Sequence, residues 1–525
     1  MNHQVQNWNV RKPLARSRGG IVATQNHIAG EAGVSILNAG GNAVDAAVAT
    51  GLALAAVEPW NSGLGGVGFM LVYLAKENRV RVVDFGPISP GALNPADFPL
   101  AGGMTHELFT WPTVKDDRNV QGPNSIAVPG HVDGMALALN TFGKLKFREV
   151  IQPAIKLAEQ GMAIDWYLTL KVAITARELA MYPSTANVYL PGGYPPVTPA
   201  GGTLQRLHLK GLANTMKRLA DAGPRDYYEG EIAQSIARDI KSLGGILSAD
   251  DLKRYHARIV DPIDTEYHGA HLALAPNLTA GPSMLRTIDN LRGINFKPGK
   301  PDADAFFNYA RVLRDAFADR LTSMGDNTHQ GDQRSPSCTS HFNVVDAEGN
   351  MVAHTQTLLS VFGSRVVLPE TGMLMNNGIF WFDPRPGTPN SLAPNKRPLT
   401  NMCPVIAYNK QGDGKAWFAV GASGGRKIFP AVLQLTSFMI DHGLSLEDAF
   451  HHPRIDASGG NTVGIDPRMP QAIKDALGNA YPLHETELVV YPTNFACPSS
   501  VVQTADGEHQ GMTDVMSPWS GAVAQ

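Results

Sequence analysis

Thr339 stands where a polar, aperiodic run gives way to a strand pattern, and its hydroxyl is the first group in the chain whose setting suggests covalent chemistry. Residues 341–346 alternate with period two, the turn Ala347-Glu348-Gly349-Asn350 follows, and a second strand pattern runs over residues 351–359. A hairpin in which Asp346 faces Asn350 or Met351 sets Thr339 opposite Thr357 or Leu358, so the Thr357 hydroxyl falls within about one residue of the first. Two Thr at the head of a hairpin bring two hydroxyls close together; they also fit an ordinary strand edge, which favours β-branched residues. Two other groupings compete. Gly421-Ala422-Ser423-Gly424-Gly425 matches G-x-S-x-G between a strand pattern and a helix pattern. That would make Ser423 the nucleophile of an α/β-hydrolase, served by Asp441 or Asp456 and by His451 or His452, but the regular strand–helix alternation such a fold needs does not precede it. His451-His452 with Asp456 is a local set of metal-type ligands, without H-E-x-x-H or a Cys pair at metal spacing, so a helix-end role is expected, with no metal and no cofactor.

The elements that must position these residues come from both ends of the chain. Residues 1–18 read as a tail, followed by a strand over 20–24 and helices over His27–Asn38 and Ala43–Val57, separated by Gly40-Gly41-Asn42. Ala43, Ala46, Ala47, Ala49 and Ala53 keep the second helix slim enough to pack closely. Gly63-Leu64-Gly65-Gly66-Val67-Gly68 matches G-x-G-x-x-G but follows a helix and precedes a strand, the reverse of a dinucleotide site, and is rejected as one. Strands are expected over 70–73 and 79–85. Residues 120–330 read as mainly helical (148–160, 166–182, 207–222, 230–243 and 302–324), with Ser248 capping a short helix that opens on Asp250 and Asp251. The Pro- and Gly-rich stretch 183–203 is expected to be a surface excursion, 325–338 a mobile linker and 383–396 a loop. A strand over 417–420 and a helix over 428–442 flank the Ser423 turn. Residues 457–525 should be short strands and turns ending in a loose terminus.

Composition narrows the class. The 525 residues are 43 % apolar and 17 % charged, enough core for two to four domains or one large fold. Fifty-three Gly and 37 Pro imply many turns without any repeat. A net charge of −3 without basic clusters argues against nucleic acid and membrane as partners. Residues 1–20 hold no apolar run of secretory length, residues 46–57 are too short to span a bilayer, and three Cys suit a reducing compartment, so a cytoplasmic location is expected.

The run Cys338-Thr339-Ser340-His341-Phe342-Asn343-Val344-Val345-Asp346, with Gly349-Asn350, Thr355-Gln356-Thr357, Phe362-Gly363-Ser364, Gly372 and Asn376-Asn377, resembles the start of the small subunit in the γ-glutamyltranspeptidase family. Gly40-Gly41-Asn42-Ala43-Val44-Asp45, Ser62-Gly63-Leu64-Gly65-Gly66, Asp226-Tyr227-Tyr228-Glu229-Gly230 and Lys396-Arg397-Pro398-Leu399 extend the likeness over roughly residues 19–460. The resemblance implies an N-terminal nucleophile hydrolase with an α+β, four-layer α-β-β-α sandwich and a large helical N-terminal portion. It implies self-cleavage at Cys338–Thr339 into a large fragment (1–338) and a small catalytic one (339–525), intertwined as one globular unit. Thr339 would then be nucleophile, Thr357 its orienting partner, and Gly424 and Gly425 the oxyanion hole, leaving Ser423 as scaffold.

The same resemblance marks departures. Where γ-glutamyl-specific members hold the substrate α-carboxylate with an Arg after Asp-Phe, this chain has Gly86; where an Asp holds the α-amine it has Trp381, in the run that begins at Asn376. An Asn two residues past the second Thr is Leu359, and a Ser-Ser pair is Thr400-Asn401. The acyl group is therefore expected to differ from γ-glutamyl and to be a neutral, aromatic-compatible or simple carboxylate acyl, with Arg365 or Arg426 as candidate replacement cations. A γ-glutamyl substrate and a non-catalytic binding protein remain the alternatives. Expected partners are a small-molecule amide, the two fragments with each other and, as an open alternative, a second copy of the chain.

Overall fold

The computed structural model describes residues 10–105, 109, 111–324, 339–486 and 494–525. Its centre is a pair of seven-stranded antiparallel sheets. The first runs in the order Gly521–Ala524, Ile21–Thr24, Ser340–Val345, Met351–Thr357, Val67–Leu74, Arg79–Phe85, Arg258–Val260. The second runs Ala15–Ser17, His509–Thr513, Cys497–Gln503, Ala416–Ser423, Val405–Tyr408, Ala270–Leu274, Ile263–Tyr267. Ile21, Ala23, Leu71, Tyr73 and Val82 from the first interlock with Ala273, Ile406, Ala419 and Val501 from the second in one buried layer. The outer face of the first sheet packs on helices His27–Asn38, Ala43–Val57 and His131–Phe142, and that of the second on Gly281–Leu291, Ala303–Ser323 and Ile428–Ile440. The molecule is thus the expected four-layer α-β-β-α sandwich, of mixed α+β class.

Local sequence explains the helices nearest the hairpin. Asn42 closes a capping box with Asp45, and the buried Asp45 carboxylate also takes the N–H groups of Lys144 and Leu145. Gly33 admits the neighbouring helix, since a methyl there would lie 2.2 Å from the Thr50 hydroxyl oxygen.

Several expectations need correction. Residues 10–18 are not a free tail: Ala15–Ser17 pairs with His509–Thr513, and Lys12 Nζ bonds the Ser520 carbonyl at 2.7 Å. The C-terminus is not loose either, because Gly521–Ala524 pairs with Ile21–Thr24 along the sheet edge. Residues 166–182 are not one helix but two, Trp166–Ala173 and Ala176–Leu179. The stretch 183–203 opens with a helix, Pro183–Tyr189, whose Tyr189 is buried, and Ser184 and Thr185 tie it to the 365–367 loop. The linker expected at 325–338, with Cys338, lies outside the described residues. Among those described, no helix is long and apolar enough to cross a membrane.

Candidate active site

The hairpin forms with Val345 opposite Met351 and Ser340 opposite Gln356, which leaves Thr339 facing Thr357. The Thr339 hydroxyl donates to Thr357 Oγ1 at 3.2 Å. Thr357 Oγ1 also accepts the Leu359 N–H at 2.8 Å. Leu359 reaches that position at φ +83°, a left-handed conformation costing on the order of 1 kcal/mol for a branched side chain, held by the surrounding fold. The Thr357 hydroxyl is therefore fixed from its own loop.

Alternation sends Thr339, His341 and Asn343 toward the facing sheet. His341 Nδ1 pairs with Thr355 Oγ1 at 2.8 Å, its Nε2 lies 3.2 Å from Asn343 Oδ1, and Asn343 donates to the Ser499 carbonyl. Gly421 has no side chain for a reason: a Cβ there would lie 2.3 Å from the His341 ring. Beyond Gly421, Ser423 Oγ accepts from Gln25 Nε2, and Gln25 Oε1 takes the His341 N–H at 2.9 Å. Gly424 and Gly425 follow Ser423 directly in the chain. Gly424 (φ +141°) and Gly425 (φ +59°) turn the chain from the strand Ala416–Ser423 into the helix Ile428–Ile440, and a Cβ on Gly424 would sit 2.7 Å from the Ala496 backbone. A strand-to-helix turn of this kind can present N–H groups to developing negative charge.

The partners required for a serine triad are scattered. Asp441 accepts from the Tyr267 hydroxyl and pairs with His268, the His451 ring bonds the Glu447 carbonyl and accepts the Lys12 N–H, and His452 bonds the Pro453 carbonyl. Asp456 caps the Ser458 N–H. No group of three or more His, Cys, Asp or Glu side chains among the described residues is arranged to hold a metal.

The residues expected to face substrate divide in two. Leu359 and Trp381 meet in a buried cluster with Val67, Phe69, Phe109 and Met402. Gly86 borders it, since a Cβ there would approach the Phe69 ring at 2.9 Å. Thr400 and Asn401 stand on a buried cation that sequence reasoning missed: Arg320 donates to the Thr400 carbonyl at 2.6 Å and to Asn401 Oδ1 at 3.2 Å. Asn376 spends its amide on backbone, donating to the Gly65 and Ala127 carbonyls and accepting from the N–H groups of Ala127 and Gly378. It holds the wall behind the site.

Of the replacement cations, Arg365 Nη1 is engaged by the Val120 and Gly363 carbonyls, whereas the Arg426 guanidinium lies 5.8 Å from the centre of the Phe109 ring, at the edge of the apolar cluster. A further arginine, Arg397, lies 3.3 Å from the Gly86 carbonyl, but Asp84 pairs with both Arg397 and Arg258 and offsets that charge.

Titratable groups on both faces of the hairpin are held unusually. Burial pushes His341 down to about 3 and His131 down to about 4, and it drives His354, stacked on Phe342 at 4.5 Å, well below the ordinary imidazole range. All three imidazoles are neutral at pH 7. Burial also raises Glu58 to about 7.

Comparison with known proteins agrees with this geometry. A family model described as gamma-glutamyltranspeptidase matches residues 29–335 and 327–523. An acylase ACY 1 proenzyme of Pseudomonas sp. (strain SE83) is 34 % identical over 500 residues, covering 89 % of this chain and 87 % of its own. A glutathione hydrolase proenzyme of Escherichia coli (strain K12) is 32 % identical over 493 residues, covering 84 % and 81 %. Among solved structures, a cephalosporin acylase from Bacillus halodurans superposes over 100 % of this chain and 99 % of its own with a TM-score of 0.85 at 24 % identity, a likeness of fold. The hairpin register, the two stacked sheets and matches over nearly the whole length lead to one assignment: the chain belongs to the γ-glutamyltranspeptidase family of N-terminal nucleophile hydrolases, enzymes that cleave or transfer acyl groups held in amide linkage.

Proposed function

We propose that the chain is a self-processing threonine amidohydrolase that cuts itself at Cys338–Thr339 and then hydrolyses an amide whose acyl group is not γ-glutamyl. The observation that carries the reading is the 3.2 Å hydrogen bond between Thr339 and Thr357 at the head of the hairpin. In maturation, Thr339 Oγ adds to the Cys338 carbonyl carbon, the peptide C–N bond breaks as its nitrogen takes a proton, and water cleaves the resulting ester. This frees an α-amine that titrates near 7.7–8.0 on the same residue as the nucleophile. In turnover that amine takes the hydroxyl proton as Oγ attacks the substrate carbonyl, and passes it to the leaving amine as the C–N bond breaks. Gly424 and Gly425 N–H groups receive the oxyanion, and water then hydrolyses the acyl ester, again with the amine as base. The names of the Pseudomonas and E. coli relatives as proenzymes support a maturation step.

The apolar surroundings of Leu359 and Trp381 support the substrate part of the proposal. A γ-glutamyl group carries both an ammonium and a carboxylate, and burying either without a partner costs several kcal/mol. With Gly86 and Trp381 in place of a cation and an anion, a neutral, aromatic-compatible or simple carboxylate acyl suits the site better, in line with the acylase relative. Matched anilides test this. Glutaryl or simple acyl anilides should turn over at least about tenfold faster in kcat/KM than the γ-glutamyl compound, a preference worth about 1.4 kcal/mol. Preferred turnover of the γ-glutamyl anilide would overturn the substrate assignment and favour a glutathione hydrolase, the activity named for the E. coli relative.

The pair of hydroxyls gives a second test. Thr357→Val keeps the shape but loses the acceptor for Thr339, and should slow both self-cleavage and turnover by about 10²-fold. Normal rates for both would remove Thr357 from the site. Ser423→Ala, which loses only an acceptor for Gln25, should mature and turn over within about threefold of the parent; complete loss of activity in a matured Ser423→Ala chain would restore the serine reading.

A further inference from the structure

Behind the hairpin, on the face opposite Thr339, lies a buried chain of hydrogen bonds that the reaction as described does not use. His131 Nε2 faces Gln356 Oε1 at 2.8 Å, and Gln356 Nε2 donates to Ser62 Oγ at 2.9 Å. Ser62 Oγ donates to Ser340 Oγ at 3.0 Å, and Ser340 Oγ donates to Glu58 Oε2 at 3.4 Å. The direction is fixed at its centre: Gln356 Nε2 also donates to the Gly51 carbonyl, which can only accept, so Oε1 must receive the His131 proton. Each hydroxyl then gives once and receives once, and every donor points toward the Glu58 carboxylate. All of these side chains are buried.

Two members of the chain are immediate neighbours of the reacting pair. Ser340 follows Thr339 and Gln356 precedes Thr357, and alternation puts their side chains on the rear of the same two strands. The turn that carries Ser62 is fastened to the second strand as well, since Leu358 N–H donates to the Asn61 carbonyl at 2.9 Å and a Cβ on Gly66 would stand 2.8 Å from the Thr357 carbonyl oxygen. On this basis we propose that Glu58 is a positioning residue: through Ser340, Ser62 and Gln356 it locks the two strands from behind and holds Thr339 in line with Thr357. The inference rests on Thr339 being the nucleophile.

The lock works with Glu58 ionised. Protonation of Glu58 leaves an oxygen that can still accept from Ser340, but it removes the charge that strengthens that hydrogen bond, so the lock slackens without opening. Burial raises this carboxyl to about 7; the charged group facing it is Lys171 on the helix Trp166–Ala173, while Asn61 and Ser340 bond it and His131, at the far end, is neutral. Protonation of the Thr339 α-amine should therefore silence the enzyme on the acid side, and protonation of Glu58 should add a smaller loss.

The test compares variants of the matured enzyme on its best anilide. Glu58→Leu and Ser340→Ala should each lower kcat about tenfold while leaving KM within about twofold, and the double variant should fall no further, because both break one chain. Glu58→Gln, which retains an acceptor for Ser340, should recover kcat to within about threefold at pH 8, and its kcat should fall with one proton rather than two below pH 7. Additive losses, a parental pH profile in Glu58→Gln, or unchanged kcat in Ser340→Ala would each overturn the proposal. Should Glu58→Leu not fold, Ser340→Ala and Glu58→Gln decide alone. Thr339→Ala is run alongside: if it stays active the nucleophile assignment fails, whereas an inactive Thr339→Ala beside an unaffected Ser340→Ala refutes only the role of Glu58.

Discussion

A Thr339→Ala chain is expected to remain in one piece of 525 residues and to lose anilide turnover by on the order of 10⁴-fold or more, the scale for removing a nucleophile that acts with its partners as a unit. Both effects follow from one atom. Thr339 Oγ1 is the hydroxyl held against Thr357, so its loss removes the group that would attack the preceding carbonyl and the substrate alike. Packing should hardly change, because the Thr355, Asn343 and Gln25 contacts all belong to His341, two residues on. The thermal midpoint should stay close to that of any uncut chain, and Thr339→Ser should restore both cleavage and turnover in part. Denaturing electrophoresis over several days, with N-terminal sequencing of any fragment, checks the first effect, and anilide kinetics the second. An alanine chain that still splits before residue 339, or an intact one that keeps full activity, would falsify the threonine mechanism.

The second large effect is on stability in acid. His131, His341 and His354 are neutral and fully buried, with folded pKa values far below the ordinary value of about 6.5. Between those values the unfolded chain binds protons that the native one refuses, so stability is lost as pH falls below about 6.5. At pH 5 each imidazole should have withdrawn about 2 kcal/mol. Glu58 acts in the opposite sense. Its folded value near 7 lies above its unfolded one, so the native state gains stability as pH falls from about 7 toward 4.5 and offsets about one imidazole. These four groups together should take up about two protons on unfolding at pH 5, measurable from calorimetry in buffers of different ionisation enthalpy. His354→Phe, which can keep the stack on Phe342, should reduce that uptake by about one proton. A thermal midpoint that stays flat from pH 6.5 to 4.5 would show that these imidazoles are reached by protons in the native state.

What could be read from the sequence was what a few neighbouring residues decide. The bounds of His27–Asn38 and Ala43–Val57 were legible from their pattern and the Gly40-Gly41-Asn42 break, and the side chains of Asn26 and Asn42 cap their first turns. The facing of Thr339 and Thr357 was legible too, because a tight hairpin turns register into arithmetic. Strands Ile263–Tyr267 and Ala270–Leu274 escaped because each is five residues long within a helical region, and the helix His131–Phe142 because it carries no side-chain cap. The surroundings of the site were hidden for a different reason: Ser340 meets Glu58 across 282 residues, and Arg397 meets Asp84 across 313. Nothing in a local pattern signals such pairings. Arg320 beneath Thr400 and Asn401 is the clearest omission, since a lone Arg near a helix end reads as a solvated one while the fold turns it inward.

Both sheets draw strands from either side of residue 339. In the first sheet, Ser340–Val345 is flanked by Ile21–Thr24 and Met351–Thr357, and Gly521–Ala524 closes the edge beyond; in the second, Ala15–Ser17 and Ala270–Leu274 flank a block that begins at Val405 and ends at Thr513. A nick ahead of Thr339 therefore releases nothing, yet it changes what unfolding means. The intact chain refolds as a single molecule at a rate independent of how dilute it is, whereas two pieces must first find each other, each with half-built sheets and bare edges open to wrong pairing. Heat or denaturant would be a reversible stress before the cut and a one-way event after it. The lifetime of the nicked enzyme would then be set by how fast it opens, not by the free energy it gained on folding.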